Sequence, residues 1–224
     1  METASSLNER LGLSFSNFAL LTRALTHRSY ANEHQDGSED NERLEYLGDA
    51  VLDFIVAEWA YRHFLELPEG DLTKIRAHLV RNENLARFAQ QIDLGGALRL
   101  GRGEKTTGGN HRESVLGSAF EALLGAIYLD SNFEKVRKFV LPFVDPSLET
   151  ILEEINDPKS QLQEETQAVK LGSPVYRVIS TSGPDHARTY EVEVEIAGEV
   201  KGRGTGSSKA NAEREAARDA LKKM

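Results

Sequence analysis

The chain has 224 residues, enough for one or two domains with at least one sizeable core. Its 27 Lys and Arg face 36 Asp and Glu, a formal net charge of −9, which excludes a surface coated in basic charge and leaves a polyanion only a local patch. It has no cysteine, so disulfides, cysteine-ligated zinc or iron–sulfur clusters and cysteine nucleophiles are excluded.

The polar opening, Met1 to Arg10, carries no apolar signal core. From Asn41 to Phe64, Leu44, Leu47, Val51, Leu52, Ile55, Val56, Trp59 and Ala60 recur at helical spacings, with Asp40 or Asn41 as N-cap. Trp59 and Tyr61 on this helix are read as core. Pro68-Glu69-Gly70-Asp71 predicts a turn, and Leu72 to Ile92 a second helix. Gly95 to Asn110 is glycine-rich and reads as a loop. It lacks a preceding strand and a Gly-Lys-Ser/Thr ending, so no nucleotide cofactor is expected. The most apolar helix spans Glu113 to Leu129, followed by helices over Phe133 to Val144 and Pro146 to Ile155. Asn156-Asp157-Pro158 ends the last of these. The longest apolar run, Ala122 to Leu129, is eight residues, far short of a membrane span, so the expected setting is cytoplasmic.

The period changes after Pro158. Ser160 to Leu171 is helical, whereas Tyr176 to Thr181 and Thr189 to Ile196 alternate with period two, as strands do. Gly183-Pro184-Asp185 turns between them, Glu199 to Gly204 offers a third strand, and Ser208 to Lys222 closes with an alanine-rich helix. The expected architecture is mainly α, with an all-helical domain over residues 5–154 and a small α+β (α-β-β-β-α) domain over 157–224. Residues 157–224 carry 11 basic and 11 acidic side chains, against 16 and 25 in residues 1–156, so all the excess acid lies in the helical part.

Glu42, Glu45 and Asp49 stand at i, i+3 and i+7, one stripe of a helix. Three like charges on a stripe repel, and both a solvated face and a hard divalent cation with oxygen ligands would offset them. Asp49 sits among residues expected to be buried (Leu47, Gly48, Ala50, Val51), and Glu121 lies inside the most apolar helix. Carboxylates are rarely buried without a partner or a metal, so two inward-looking acids suggest a shared metal site. None of His27, His34, His63, His78, His111 and His186 pairs at metal-ligand spacing, and His27 is read as structural.

Asn41-Glu-Arg-Leu-Glu-Tyr-Leu-Gly-Asp-Ala-Val-Leu52 closely resembles the signature of ribonuclease III, with Tyr46 where Phe is usual. Thr26 to Ala31, Pro68 to Leu72, Leu79 to Asn82 and Arg112 to Leu123 resemble further segments of that family, and the carboxy-terminal module resembles a double-stranded RNA-binding domain. The resemblance implies a magnesium-dependent endonuclease for double-stranded RNA, with manganese able to substitute, working as a homodimer. It implies 5′-phosphate and 3′-hydroxyl ends with short 3′ overhangs, and ribosomal RNA precursors and structured messages as substrates. Glu45, Asp49 and Glu121 fall on the family's metal ligands, with Asp49 and Glu121 catalytic. Glu42 and Glu69 fall on accessory acidic positions, and Tyr46 on an aromatic that plugs into the other protomer. Ser118 departs from the family's usual Asp, and acts on a metal through water if at all. That departure motivates an alternative, a catalytically weak homologue that holds duplex RNA.

Duplex RNA is read through its minor-groove width, phosphates and 2′-hydroxyls. Gln161, Gln163 and Glu164 are candidate contacts to 2′-hydroxyls, and His186 belongs to a loop resembling the one that enters the next minor groove. Ser208 and Lys209 open the last helix, where phosphate binds in the family. Ala210 and Asn211 replace lysines common there, so weak, salt-sensitive binding is expected.

Overall fold

Two helices that cross at glycines bring their backbones closer than side chains elsewhere permit. Such a crossing organises the first of two compact units, Met1–Ile151 and Leu152–Met224, in the computed structural model, which describes residues 2–34, 37–144, 157–184 and 188–224. Helix α4 (Glu42–His63) packs on α8 (Glu113–Asp130), after α1 (Ala4–Leu11), α2 (Phe18–Ala24) and α3 (Arg28–Glu33). A Cβ on Gly48 would lie 2.6 Å from the Glu121 carbonyl carbon, and one on Gly125 would lie 3.1 Å from that of Leu44. Only glycine fits at either position. Helix α8 buries Val115, Leu116, Phe120, Leu123, Leu124 and Ile127, the all-round apolar pattern of a helix enclosed in a core. Phe88, Phe120, Phe139 and Phe143 cluster there, with ring centroids 5.4 to 6.2 Å apart.

The expected helix over Leu72 to Ile92 is two helices, α5 (Glu69–Leu79) and α6 (Asn82–Gln91). Arg81 is extended (φ −63°, ψ 146°), and the buried Asn84 turns its Nδ2 back to donate to His78 O at 2.6 Å. That bond satisfies a carbonyl at the end of α5 which a continuous helix would have used itself. The expected loop from Gly95 to Asn110 carries the short helix α7 (Arg102–Thr106) between 3₁₀ turns at Leu94–Ala97 and Gly109–His111. Thr106 Oγ1 donates to Arg102 O at 2.8 Å and helps close that helix. Helix α9 (Phe133–Val144) follows as expected, while the expected helix from Pro146 to Ile155 lies outside the described residues. Trp59 is 3 % exposed and belongs to the core, but Tyr61, two residues round the helix, is 71 % exposed and does not. Among the described residues no helix is long and apolar enough to cross a membrane.

The second unit runs α10 (Pro158–Ala168), β1 (Val175–Ser182), β2 (Thr189–Ile196), β3 (Glu199–Gly206) and α11 (Lys209–Leu221), with an antiparallel sheet in the order β1-β2-β3. Val192, Val194 and Ile196 face Leu162 and the alanines Ala212, Ala216, Ala217 and Ala220. Helix α11 lies close because β3 presents Gly202, Gly204 and Gly206 to it. A Cβ on Gly204 would come 2.6 Å from the Glu215 carbonyl carbon. Glu191, Glu193 and Glu195 occupy the opposite face of β2, where Ser180 Oγ (2.9 Å), Arg203 (3.3 Å) and Arg177 (3.1 Å) meet them in turn.

Candidate active site

The crossing of α4 and α8 sets the acids of both helices along one opening. Glu42, Glu45, Tyr46 and Asp49 from α4 and Glu121 from α8 line an open cleft of about 360 Å³. Ser118, one turn before Glu121, donates its hydroxyl to Glu45 Oε1 at 2.9 Å and so ties the two helices together beside the cleft. A smaller concavity of about 240 Å³ shares Glu42 and Glu45 and adds His27, Arg28, Ser114 and Ser118.

Charge is the distinctive property of the cleft. Burial pushes the Glu121 carboxyl up to about 8, and the neighbouring carboxylates of Asp49, Glu45 and Asp53 add to the shift. Asp49 is raised by partial desolvation and then by Asp53. The expectation of two inward-looking acids holds only for Glu121, which is half-buried. Gly48, Val51 and Leu52 are buried around Asp49, but Asp49 itself stands on the exposed rim, because its own helical position turns toward the opening. At the mouth, Arg28 pairs with Glu42 at 3.4 Å, with both side chains largely exposed. Hard carboxylate and hydroxyl oxygens are the donor set of magnesium or manganese, and a half-buried carboxyl whose charged neighbours are all acids fits such a cation. The acids line the cleft without closing into a shell. Among the described residues, no three His, Asp or Glu groups stand close enough to hold a metal as they lie.

Glu69 is not brought to this cleft. It is exposed in the first turn of α5, where it accepts from Thr73 Oγ1 at 3.3 Å. Tyr46 is 80 % exposed. In the second unit, Gln161, Gln163 and Glu164 lie exposed along α10, and Ser208 caps α11 by accepting from Asn211 N–H at 3.2 Å. Lys209 Nζ is 3.9 Å from Glu213, which also holds Lys159 at 2.6 Å, so part of the local positive charge is already neutralised. Arg218 pairs with Glu215, while Asp219 accepts from Arg203 N–H at 2.9 Å and pairs with Lys223. His186 and Asp185 lie outside the described residues.

His27 is structural, as expected, but its place beside the site was not foreseen. Its side chain caps α3 by accepting from Ser29 N–H at 3.2 Å, and its ring borders the smaller concavity. The His-Arg-Ser order, a ring acceptor two residues before an amide at a helix start, was the available signal.

Family comparison places a Ribonuclease-III-like model on residues 17–147 and a double-stranded RNA binding motif on residues 158–224. The chain is 44% identical over 219 residues to Ribonuclease 3 of Natranaerobius thermophilus, covering 97% of this chain and 95% of that one. It is 46% identical over 217 residues to Ribonuclease 3 of Oceanobacillus iheyensis, covering 96% and 95%. Among solved structures, the nuclease domain of ribonuclease III from Campylobacter jejuni superposes with a TM-score of 0.59 at 37% identity, covering 66% of this chain and 97% of that one. A second structure of that domain, concerned with flexibility in a region involved in dimer formation, gives 0.58 at 38% identity, covering 62% and 94%.

Proposed function

This chain belongs to the ribonuclease III family, and from that premise we propose that it is an endoribonuclease cleaving double-stranded RNA by metal-assisted phosphodiester hydrolysis at the α4/α8 cleft. The observation that carries the reading is Glu121, half-buried among acids and set against Glu45 and Asp49 by two glycines that leave no room for a side chain.

Glu45, Asp49 and Glu121 would hold magnesium, with manganese as a substitute. When bound, the ion would lower the pKa of a water and stabilise charge developing on the phosphate and leaving oxygen. The chain's own residues arrange the rest. Ser118 fixes the Glu45 carboxylate through its hydroxyl, and Arg28 screens Glu42 at the mouth. Burial and the neighbouring acids hold the Glu121 carboxyl up at about 8, a shift that a bound cation would offset. Against a protein that only holds RNA stand Glu45, Asp49 and Glu121, which all line the cleft; Ser118 adds no charge there but holds Glu45 in place.

The reading includes a homodimer. Tyr46, Phe54 and Tyr61, exposed by 80 %, 60 % and 71 %, fall on one side of α4 as an apolar stripe that a second copy would cover. Gln161, Gln163 and Glu164 would meet 2′-hydroxyls, and Lys209 with the start of α11 would meet phosphates between minor grooves. Domain limits of 5–154 and 157–224, action in the cytoplasm on ribosomal RNA precursors and structured messages, and 5′-phosphate, 3′-hydroxyl products with short 3′ overhangs complete it. Cleavage of a long end-labelled duplex in magnesium, and again in EDTA, tests the reading. Short duplexes with those ends, formed in magnesium alone, are expected. Cutting undiminished in EDTA would contradict it.

A further inference from the structure

A neutral histidine whose one ring nitrogen accepts from a backbone N–H must carry its proton on the other. His27 Nδ1 accepts from Ser29 N–H at 3.2 Å. The Ser29 hydroxyl, 2.8 Å from the same nitrogen, therefore donates to it, while the hydroxyl oxygen accepts from Gly101 N–H at 2.9 Å. This relay is braced by the neighbouring segment. His27 N–H donates to Arg99 O at 3.0 Å, and Arg99 N–H donates to Leu25 O at 2.8 Å. Gly101 is required there, since a Cβ would lie 2.7 Å from the Ser29 carbonyl oxygen.

Both donors converge on Nδ1, so Nε2 keeps the N–H, with no hydrogen-bond partner among the described residues. Burial also holds the ring below the ordinary histidine range, in keeping with the neutral form. The ring borders the concavity of about 240 Å³ that Arg28, Ser114 and Ser118 also line and that shares Glu42 and Glu45 with the carboxylate cleft. An RNA strand with its scissile phosphate over Glu45, Asp49 and Glu121 would run its neighbouring nucleotide into this space. Apart from Val115 its lining is polar, with hydroxyl, amide, guanidinium and N–H donors beside the Glu42 and Glu45 carboxylates and no Phe, Tyr or Trp, which suits a sugar–phosphate and not a stacked base.

We propose that His27 is a substrate-positioning residue, donating from Nε2–H to a sugar–phosphate oxygen of the nucleotide beside the scissile bond. The assignment rests on the nuclease reading and adds to it a contact outside the carboxylates. Capping α3 is a separate task of the same ring, and the two separate by substitution. Asparagine accepts from an N2 amide as well as any cap but is too short to present a donor where Nε2 stands.

The test uses the full chain, His27→Asn, and single-turnover cleavage of duplexes carrying one 2′-deoxy or one phosphorothioate nucleotide beside the cut. His27→Asn should melt with the parent and lose about tenfold in kcat/KM on unmodified RNA, the scale of one hydrogen bond to a substrate oxygen. One modification should cost the parent a similar factor and cost His27→Asn nothing further, and which one it is tells the hydroxyl from the phosphate. Parental cleavage by His27→Asn, or losses that multiply fully for every modification, would overturn the proposal and leave His27 a cap. Nitrogen-15 NMR of the unaltered protein checks the premise without a variant, and a neutral ring protonated on Nδ1 would also overturn it. A parent chain that cuts no duplex under any divalent cation would instead overturn the nuclease reading, and this contact with it.

Discussion

Glu121 gathers the electrostatics of the cleft into one carboxyl. Its ordinary value of 4.5 is raised to about 8 in the fold, so the folded protein binds a proton that the unfolded chain releases. Its contribution to stability is therefore complete below 4.5 and is lost as pH rises through about 8. In EDTA, the melting temperature of the parent relative to Glu121→Gln should fall steadily across that interval, and a flat difference would contradict the assigned burial. Ser118 is the complementary case, since a hydroxyl bonded to Glu45 leaves the cleft one carboxylate poorer than an aspartate would. Ser118→Asp should bind manganese about tenfold more tightly, read by electron paramagnetic resonance, and melt lower in EDTA through like-charge repulsion. The spacing of Glu42, Glu45 and Asp49 made these acids legible in the sequence. The outward turn of Asp49 and the fixed tautomer of His27 were not, because the first depends on the rotation of a packed helix and the second on Gly101, a partner 72 residues beyond Ser29.

At the scale of elements, α4, α8 and α9 were readable because long periodic runs bury one or more faces. The break between α5 and α6 was not, since no glycine or proline marks it and the Asn84 side chain that closes α5 declares itself only once folded. Gly48 and Gly125, by contrast, were legible as small residues that allow two helices to approach closely, and the crossing sets each against the other helix's backbone. Gly48→Ala should cost about 1–3 kcal/mol by overpacking and lower cleavage by separating Glu45 and Asp49 from Glu121. Gly70→Ala in α5, where a Cβ meets nothing within 4 Å, should gain about 0.5 kcal/mol and leave cleavage unchanged. Urea midpoints with matched cleavage assays check the pair, and equal effects at the two glycines would refute the close-approach account.

Over the whole molecule, acid and RNA affinity are divided along the chain: residues 1–156 carry the entire net charge of −9, and residues 157–224, which hold the double-stranded RNA binding motif, are neutral. Duplex RNA must therefore be held chiefly by local cations of the second unit, where Glu213 engages both Lys159 and Lys209. Glu213→Gln should tighten duplex binding, and Lys209→Ala should weaken it with a loss of about one in the slope of log affinity against log salt. Salt titrations of both variants check this, and unchanged slopes would remove Lys209 from the phosphate contacts. The central claim, that the α4/α8 carboxylates do the cutting, is met most directly by single-turnover cleavage of a duplex already bound, comparing the parent with Glu121→Gln in magnesium. A rate lowered about a thousandfold with duplex affinity retained is the expected result, the scale of several kcal/mol of lost transition-state stabilisation. Cutting by Glu121→Gln at the parental rate would place the chemistry elsewhere in the molecule.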